Sequence, residues 1–469
     1  MYRNNLVRCS LFILATAIMA LSCRKDDFTK VDLESLNPDD PKLNTELDAW
    51  LTSTFLDEYN MDVMYRYDRY THEADRNVAP VKPEMVKPMM TTVLEGYILP
   101  YRKIAGVTFI KKFVPKQWVL FGSTSYDGSN IGYAGTASGG VRINLFGLNN
   151  FSLTPGFVTG RLHVIHHEFT HILNQIVPIP TDFPLITAST YNGGWQDTRD
   201  DSAHNWGYVS AYASGSYMED YAETNSAMLV SGPSWFDNYV KTSGSEAGKA
   251  ALRLKEQNVV GYFNEALNVD YRALQKEVQT YIKDVLKDPT VTFPYWINQG
   301  LYKSITVNID DELHASNGKS AEFAKAYEAF REAVDQRNLD AHYHLENLQF
   351  IFDGTNLTVR MPFTAMSGGA EGTVYTGDYA FKVNIDANSG EAVFEKLAQG
   401  DGTPYDGTTY NNGNIFLGAF ENTIQKFLTE DTFIGDWLPS NASADLYSKT
   451  GGFYQKSTPN NYFYGSLAE

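Results

Sequence analysis

His167-Glu168-Phe169-Thr170-His171 places two imidazoles four residues apart with a carboxylate between them. On a helix, residues i and i+4 lie one turn apart on the same face, so both rings can reach one cation. Glu168 projects beside them, where it can take a proton from a water activated by that cation. Zinc is the expected ion; in good sites it lowers the pKa of its water to about 7. Val164, Ile165, Phe169, Ile172 and Leu173 recur at helical spacing around the motif, which predicts a helix over 159–176 that stops before Pro178. His163 and His166 share that helix. His163 stands eight residues before His171, about 12 Å of rise, too far to share an ion whose ligands lie about 2 Å away. It is expected beside the site or in the core. His166 is rotated by about 100° from His167 and is not expected to bind metal.

Two histidines leave a catalytic zinc one ligand short, since such sites have three protein ligands and a water. The best supplier is Tyr217-Met218-Glu219-Asp220-Tyr221-Ala222-Glu223, where Glu219 and Glu223 stand at i and i+4. One can bind metal while the other hydrogen-bonds the free nitrogen of a ligand histidine and fixes its tautomer. Helical spacing alone allows either order; the working assignment makes Glu219 the ligand and Glu223 its neighbour's partner. His204, Asp200 and Asp201 are rival ligands from the long polar loop between the two helices.

The 469 residues suffice for two or three domains, and 43% hydrophobic content with 20% charge suits a folded body. A formal charge of −18 argues against nucleic acid as a partner. Cys9 and Cys23 are the only cysteines, so the body has no disulfide framework, thiolate zinc site or cysteine nucleophile. Residues 1–22 read as a signal peptide, with Arg3 and Arg8 ahead of an apolar run from Leu11 to Leu21 that is too short to span a bilayer. Leu21-Ser22-Cys23 resembles a lipobox, with Ala20 where leucine is usual; this implies lipidation at Cys23 and an outer-membrane anchor. Lys25-Asp26-Asp27 looks like the surface-export signal of Bacteroidetes-type lipoproteins, which implies exposure on the cell surface.

Residues 23–43 read as a tether. A helix is expected near 44–59, a strand over 59–67, a helix from Lys82 ended by Pro100, and strands at 118–122 and 139–146. After the motif helix and a loop of some forty residues come helices near 217–230 and 246–286. Residues 44–290 thus form a first domain, 291–345 a helical connector with a helix over 320–340, and 346–469 a β-rich domain. The fold class is α+β.

HEFTH at 167–171 followed by EDYAE at 219–223 resembles a gluzincin-type site. The chain is similar to the zinc-binding metallopeptidases described as substrate import-associated zinc metallohydrolase lipoproteins, over roughly residues 44–290. Tyr59-Asn60, Lys82-Pro83-Glu84, Gly122-Ser123 and Gly135–Gly140 add to the likeness. The resemblance implies a zincin-like domain and favours Glu219 as the third ligand. It also implies a peptide or glycopeptide substrate laid along an edge strand, for which 139–146 is the candidate, and a TonB-dependent importer with a SusD-like lipoprotein as partners. A narrower likeness to lethal-factor-type proteases implies that Tyr212, seven residues before Glu219, donates a hydrogen bond to the oxyanion; Tyr208 and Tyr217 compete for that role. Two readings of another kind stand beside the enzyme: a non-catalytic nutrient-binding lipoprotein, and a glycan-binding surface protein acting through its C-terminal domain.

Overall fold

The computed structural model describes residues 45–126, 132–336, 342–367, 370–399 and 408–469. The segments read above as signal peptide and tether, with Cys23 and Lys25-Asp26-Asp27, lie outside them. A first unit ends at Ser53 and carries the helix Glu46–Leu51, capped by Thr45. Thr54–Glu469 forms one compact unit. Among the described residues, no helix is long and apolar enough to cross a membrane.

The N-terminal half of the large unit sets a small sheet against helices. Its strands are β1 (Asp62–Met64), β2 (Gln117–Leu120), β5 (Gly135–Ser138) and β6 (Arg142–Leu145), ordered β1-β2-β6-β5. β1, β2 and β6 run parallel and β5 antiparallel; β3 (Ser125–Tyr126) and β4 (Gly132–Tyr133) form a separate hairpin pair. Gly139 and Gly140, at φ 60° and 69°, turn β5 into β6, the left-handed pair that a tight hairpin needs. The expected strand 139–146 is therefore β6 preceded by a turn. It lies inside the sheet, and the edge belongs to β5.

Pro100 does not end its helix. Helical backbone runs from Pro83 through Ile98 and on to Phe113, with an open turn at Leu94–Ile98 and an interruption at Gly106. Pro100 has no N–H for the carbonyl of Gly96 four residues back. That carbonyl instead accepts a bond from His166 Nε2 (3.3 Å). His166 is wholly buried, and burial pushes its pKa down to about 4, so it is a neutral core histidine. The expected long helix over 246–286 is two helices, Glu246–Gly261 and Tyr271–Asp284. Between them Asn268 takes φ 53°, and Asp270 caps the second helix at Ala273 N. Helix Gly232–Thr242 was not anticipated.

The C-terminal half is a closed antiparallel barrel. β7 (Ser304–Val307), β9 (Leu348–Asp353), β10 (Asn356–Ser367), β11 (Ala370–Ile385), β12 (Glu391–Lys396), β13 (Phe433–Asp436), β14 (Thr450–Gln455) and β15 (Tyr462–Ala468) pair in a ring that shuts where β10 meets β11. β8 (His342–Leu345) extends the ring beside β10. The segment 291–345 is thus no helical connector: it carries helix Ala321–Asp335 and supplies β7 and β8 to the barrel. Phe323, Tyr327 and Phe330 of that helix join Phe350, Phe381 and Phe463 of the strands in one core. The halves are bonded to each other through Lys283 Nζ to Asp436 Oδ1 (3.0 Å) and Lys276 Nζ to Ala442 O (2.6 Å). The α+β class holds.

Candidate metal centre

Two helices carry the site: the motif helix Pro155–Ile176 and the glutamate helix Tyr217–Val230. Leu162, Ile165, Phe169, Ile172 and Leu173 are fully buried and hold the motif helix in the core. Asn225 Nδ2 donates to Thr170 Oγ1 (2.8 Å), which donates to His166 O (2.6 Å), tying the helices together beside the motif. Ser216 caps the glutamate helix, its Oγ accepting from Glu219 N (3.2 Å). That cap starts the helix where Glu219 meets the histidines.

The three nearest donor atoms form a triangle. His167 Nε2 and His171 Nε2 are 3.0 Å apart, and Glu219 Oε2 lies 3.1 Å from the first and 3.2 Å from the second. Tetrahedral zinc with bonds of about 2.0–2.1 Å separates its donors by about 3.3–3.4 Å, so the triangle has nearly the right size. Two imidazole lone pairs aimed at each other repel unless a proton or a cation lies between them. Burial opposes charge on His167, yet its bonds to Glu219 and Glu223 raise its affinity for a proton. Burial likewise opposes charge on Glu219, and its bonds to His167 and His171 hold it well below the usual carboxylate range. Two nitrogens and a carboxylate oxygen suit zinc.

Glu223 sits behind His167. Its Oε1 is 2.9 Å from His167 Nδ1 and 3.0 Å from His163 Nε2; its Oε2 accepts from Ser210 Oγ (2.7 Å). His163, His167 and Glu223 are also close enough to share an ion, using the other nitrogen of His167. The two groups differ in their surroundings. His167, His171, Glu219 and Glu168 line an open cavity of about 500 Å³, whereas Glu223 and His163 do not reach it. Glu219 thus faces the cavity beside both histidines, and Glu223 contacts His167 away from it.

Glu168 is buried on the cavity wall, and burial raises its pKa against the pull of His167 and His171. Its neighbour is β5. A Cβ on Gly135 would come within 2.4 Å of Val164 Cγ1 and 3.5 Å of Glu168 Cγ, so glycine lets the edge strand close on the motif helix. Gly135, Thr136 and Ala137 line the same cavity. Tyr212 lies opposite, stacked on His167 with centroids 5.9 Å apart and braced by Trp195 at 4.9 Å. Burial, then the charge of Glu219, raises its pKa well above the ordinary value, so it stays a donor.

The rivals fall elsewhere. Tyr208 is buried and bonded to Thr190 (2.9 Å) and Thr187 O (3.2 Å). Tyr217 reaches the cavity rim but is half-exposed. His204 stacks on Tyr239 at 3.8 Å and donates to its carbonyl (2.7 Å), while Asp200 and Asp201 are exposed at a helix start. Sequence reasoning missed a buried ion pair next to the site. Lys255 Nζ lies 2.7 Å from Asp220 Oδ2, both fully buried, and also donates to Gly207 O (2.7 Å). Tyr191 donates to the same carboxylate (2.8 Å). The pair fastens the loop before the glutamate helix to the helix that carries Glu219. A signal was present: Leu252, Lys255 and Val259 share one helical stripe, a lysine where the period asks for an apolar residue.

Residues 40–272, just under half of the chain, match the family described as "Putative zinc-binding metallo-peptidase". The family is zinc-binding by its description, in keeping with the donor set. A solved structure described as a "putative zinc-binding metallo-peptidase" from Bacteroides caccae is similar at 26% identity, over 52% of this chain and 94% of its own, with a TM-score of 0.44. No curated protein matches the chain.

Proposed function

We propose that the chain is a zinc-dependent peptidase, lipidated at Cys23 and displayed on the outer surface of the outer membrane, that cleaves peptides or glycopeptides for an importer of the TonB-dependent type with its SusD-like lipoprotein. One observation carries the catalytic part: Glu168 is buried on the wall of an open cavity that also holds the His167, His171 and Glu219 donors. A site that only stored metal would have no use for a buried carboxylate of raised pKa beside its open face. That weighs against the reading as a nutrient-binding or glycan-binding accessory.

His167, His171 and Glu219 would hold the ion, whose presence would supply polarisation of the scissile carbonyl and a water acidic enough to act as nucleophile at neutral pH. Glu168 takes the proton of the attacking water and returns it to the leaving amine. Tyr212, kept protonated, donates to the oxyanion. Glu223 keeps the His167 ring turned so that Nε2 faces the cavity. Beyond β6, β5 pairs with no strand among the described residues and can accept an extended peptide as a further strand. Glu168→Gln tests the assignment. The variant should keep zinc and its fold and lose cleavage of a mixed peptide library. Activity within about tenfold of wild type would mean that another group moves the proton.

A further inference from the structure

A second cavity, of about 440 Å³, lies where the motif helix, the end of the glutamate helix and the segment leading into the barrel meet. It shares no lining residue with the metal cavity. Its floor is the motif helix at Gly156 and Gly160. Glycine is the poorest helix former after proline, yet a Cβ at either position would meet nothing within 4 Å. Packing within the chain therefore does not call for glycine there. What the missing side chains provide is room down to the helix backbone.

The walls have two characters. Trp235, Tyr295 and Trp296 supply aromatic groups, Trp235 itself stacked on Tyr239 and Trp296 buried. Thr159, Ser231, His163 and Asp288 supply hydrogen-bonding groups. Asp288 is buried; its Oδ1 accepts from Thr290 N (3.0 Å) and Oγ1 (2.7 Å), and its Oδ2 has no hydrogen-bond partner among the described residues. His163 pairs through Nε2 with Glu223 and Ser226, and its Nδ1 has no hydrogen-bond partner among the described residues. An apolar ligand would strand these polar groups. A ring with one C–H face and several hydroxyls satisfies both walls, stacking on an aromatic side chain while its hydroxyls pair with carboxylate, imidazole and threonine.

We propose that this cavity binds a single pyranose ring, stacked on the aromatic wall and hydrogen-bonded to Asp288 and His163. The site is separate from the metal cavity, and His163 links the two, since it touches the carboxylate that orients His167.

The test uses the intact zinc-loaded protein and four probes: glucose, galactose, mannose and N-acetylglucosamine. Saturation-transfer NMR and tryptophan fluorescence would follow each titration to millimolar concentration. At least one sugar should bind saturably. Gly160→Leu, which fills the cavity from an open helix face, should weaken that sugar by about tenfold or more with zinc content unchanged. Asp288→Asn keeps the cap oxygen and should weaken it as well. Glu168→Gln should bind the sugar like wild type, which separates this site from the peptidase. Absence of saturable binding for all four sugars, or binding unchanged in both cavity variants, overturns the proposal.

Discussion

Lys255→Met removes one of the two buried charges that fasten the loop to the glutamate helix. Methionine nearly conserves volume, so the packing loss is small and the electrostatic loss dominates. Asp220, with no exposed side chain, would keep only Tyr191 and Thr224 as partners, and Gly207 O would lose its donor. Breaking a buried pair by removing one member costs about 3–5 kcal/mol. That is a large share of the about 5–15 kcal/mol that holds a domain folded. Burial already raises the Asp220 pKa against the pull of Lys255 and lowers that of Lys255. Without the lysine, Asp220 should be pushed higher and take up a proton on folding. A carboxyl whose folded pKa lies above its unfolded value stabilises fully below the unfolded pKa, and that stabilisation is lost as pH rises through the folded value. The deficit of Lys255→Met should therefore be largest at neutral pH and shrink toward pH 4. Hydrogen exchange of the amides in Tyr217–Val230, measured across that range, reads the local opening free energy without assuming that both halves unfold together. Adding Asp220→Asn should recover a good part of the loss. A deficit below about 1 kcal/mol at pH 7, or a double variant no better than the single, would refute the buried charged pair.

Tyr212→Phe should leave zinc content untouched and lower the turnover rate by about 10²–10³-fold, the expected loss for one oxyanion donor; chelator titration and steady-state kinetics on the same preparation separate the two effects. Cys23→Ala should move the protein from the membrane fraction to the soluble fraction, read by immunoblot after cell fractionation; retention in the membrane would remove lipidation from the reading.

The candidate metal-binding residues were legible because both pairs lie within one helical turn. His167 and His171, and Glu219 and Glu223, are fixed by local periodicity, and the helices that hold them formed where the apolar spacing put them. Which glutamate faces the cavity was not fixed by periodicity, since it depends on how two helices cross. The edge strand was misplaced for a similar reason. Gly139 and Gly140 read locally as the entrance to a strand, but only the pairing of β5 with β6 shows that they form a turn and which side is the edge. β7 was hidden in an apparently helical stretch because four residues of strand carry little pattern of their own. The breaks at Leu94–Ile98 and Asn268 escaped notice because an open turn and a left-handed asparagine leave the apolar period on either side almost intact.

The most direct measurement is zinc stoichiometry and affinity for Glu219→Ala beside Glu223→Ala, by elemental analysis and competition with a chelator. Glu219 Oε2 stands within 3.2 Å of both histidine nitrogens that face the cavity, whereas Glu223 contacts His167 from behind. Glu219→Ala should lose stoichiometric zinc as His167→Ala and His171→Ala do. Glu223→Ala should retain it with affinity lowered by about 10–100-fold. If Glu219→Ala keeps zinc while Glu223→Ala loses it, the ion belongs to His163, His167 and Glu223, and the catalytic assignment fails with it.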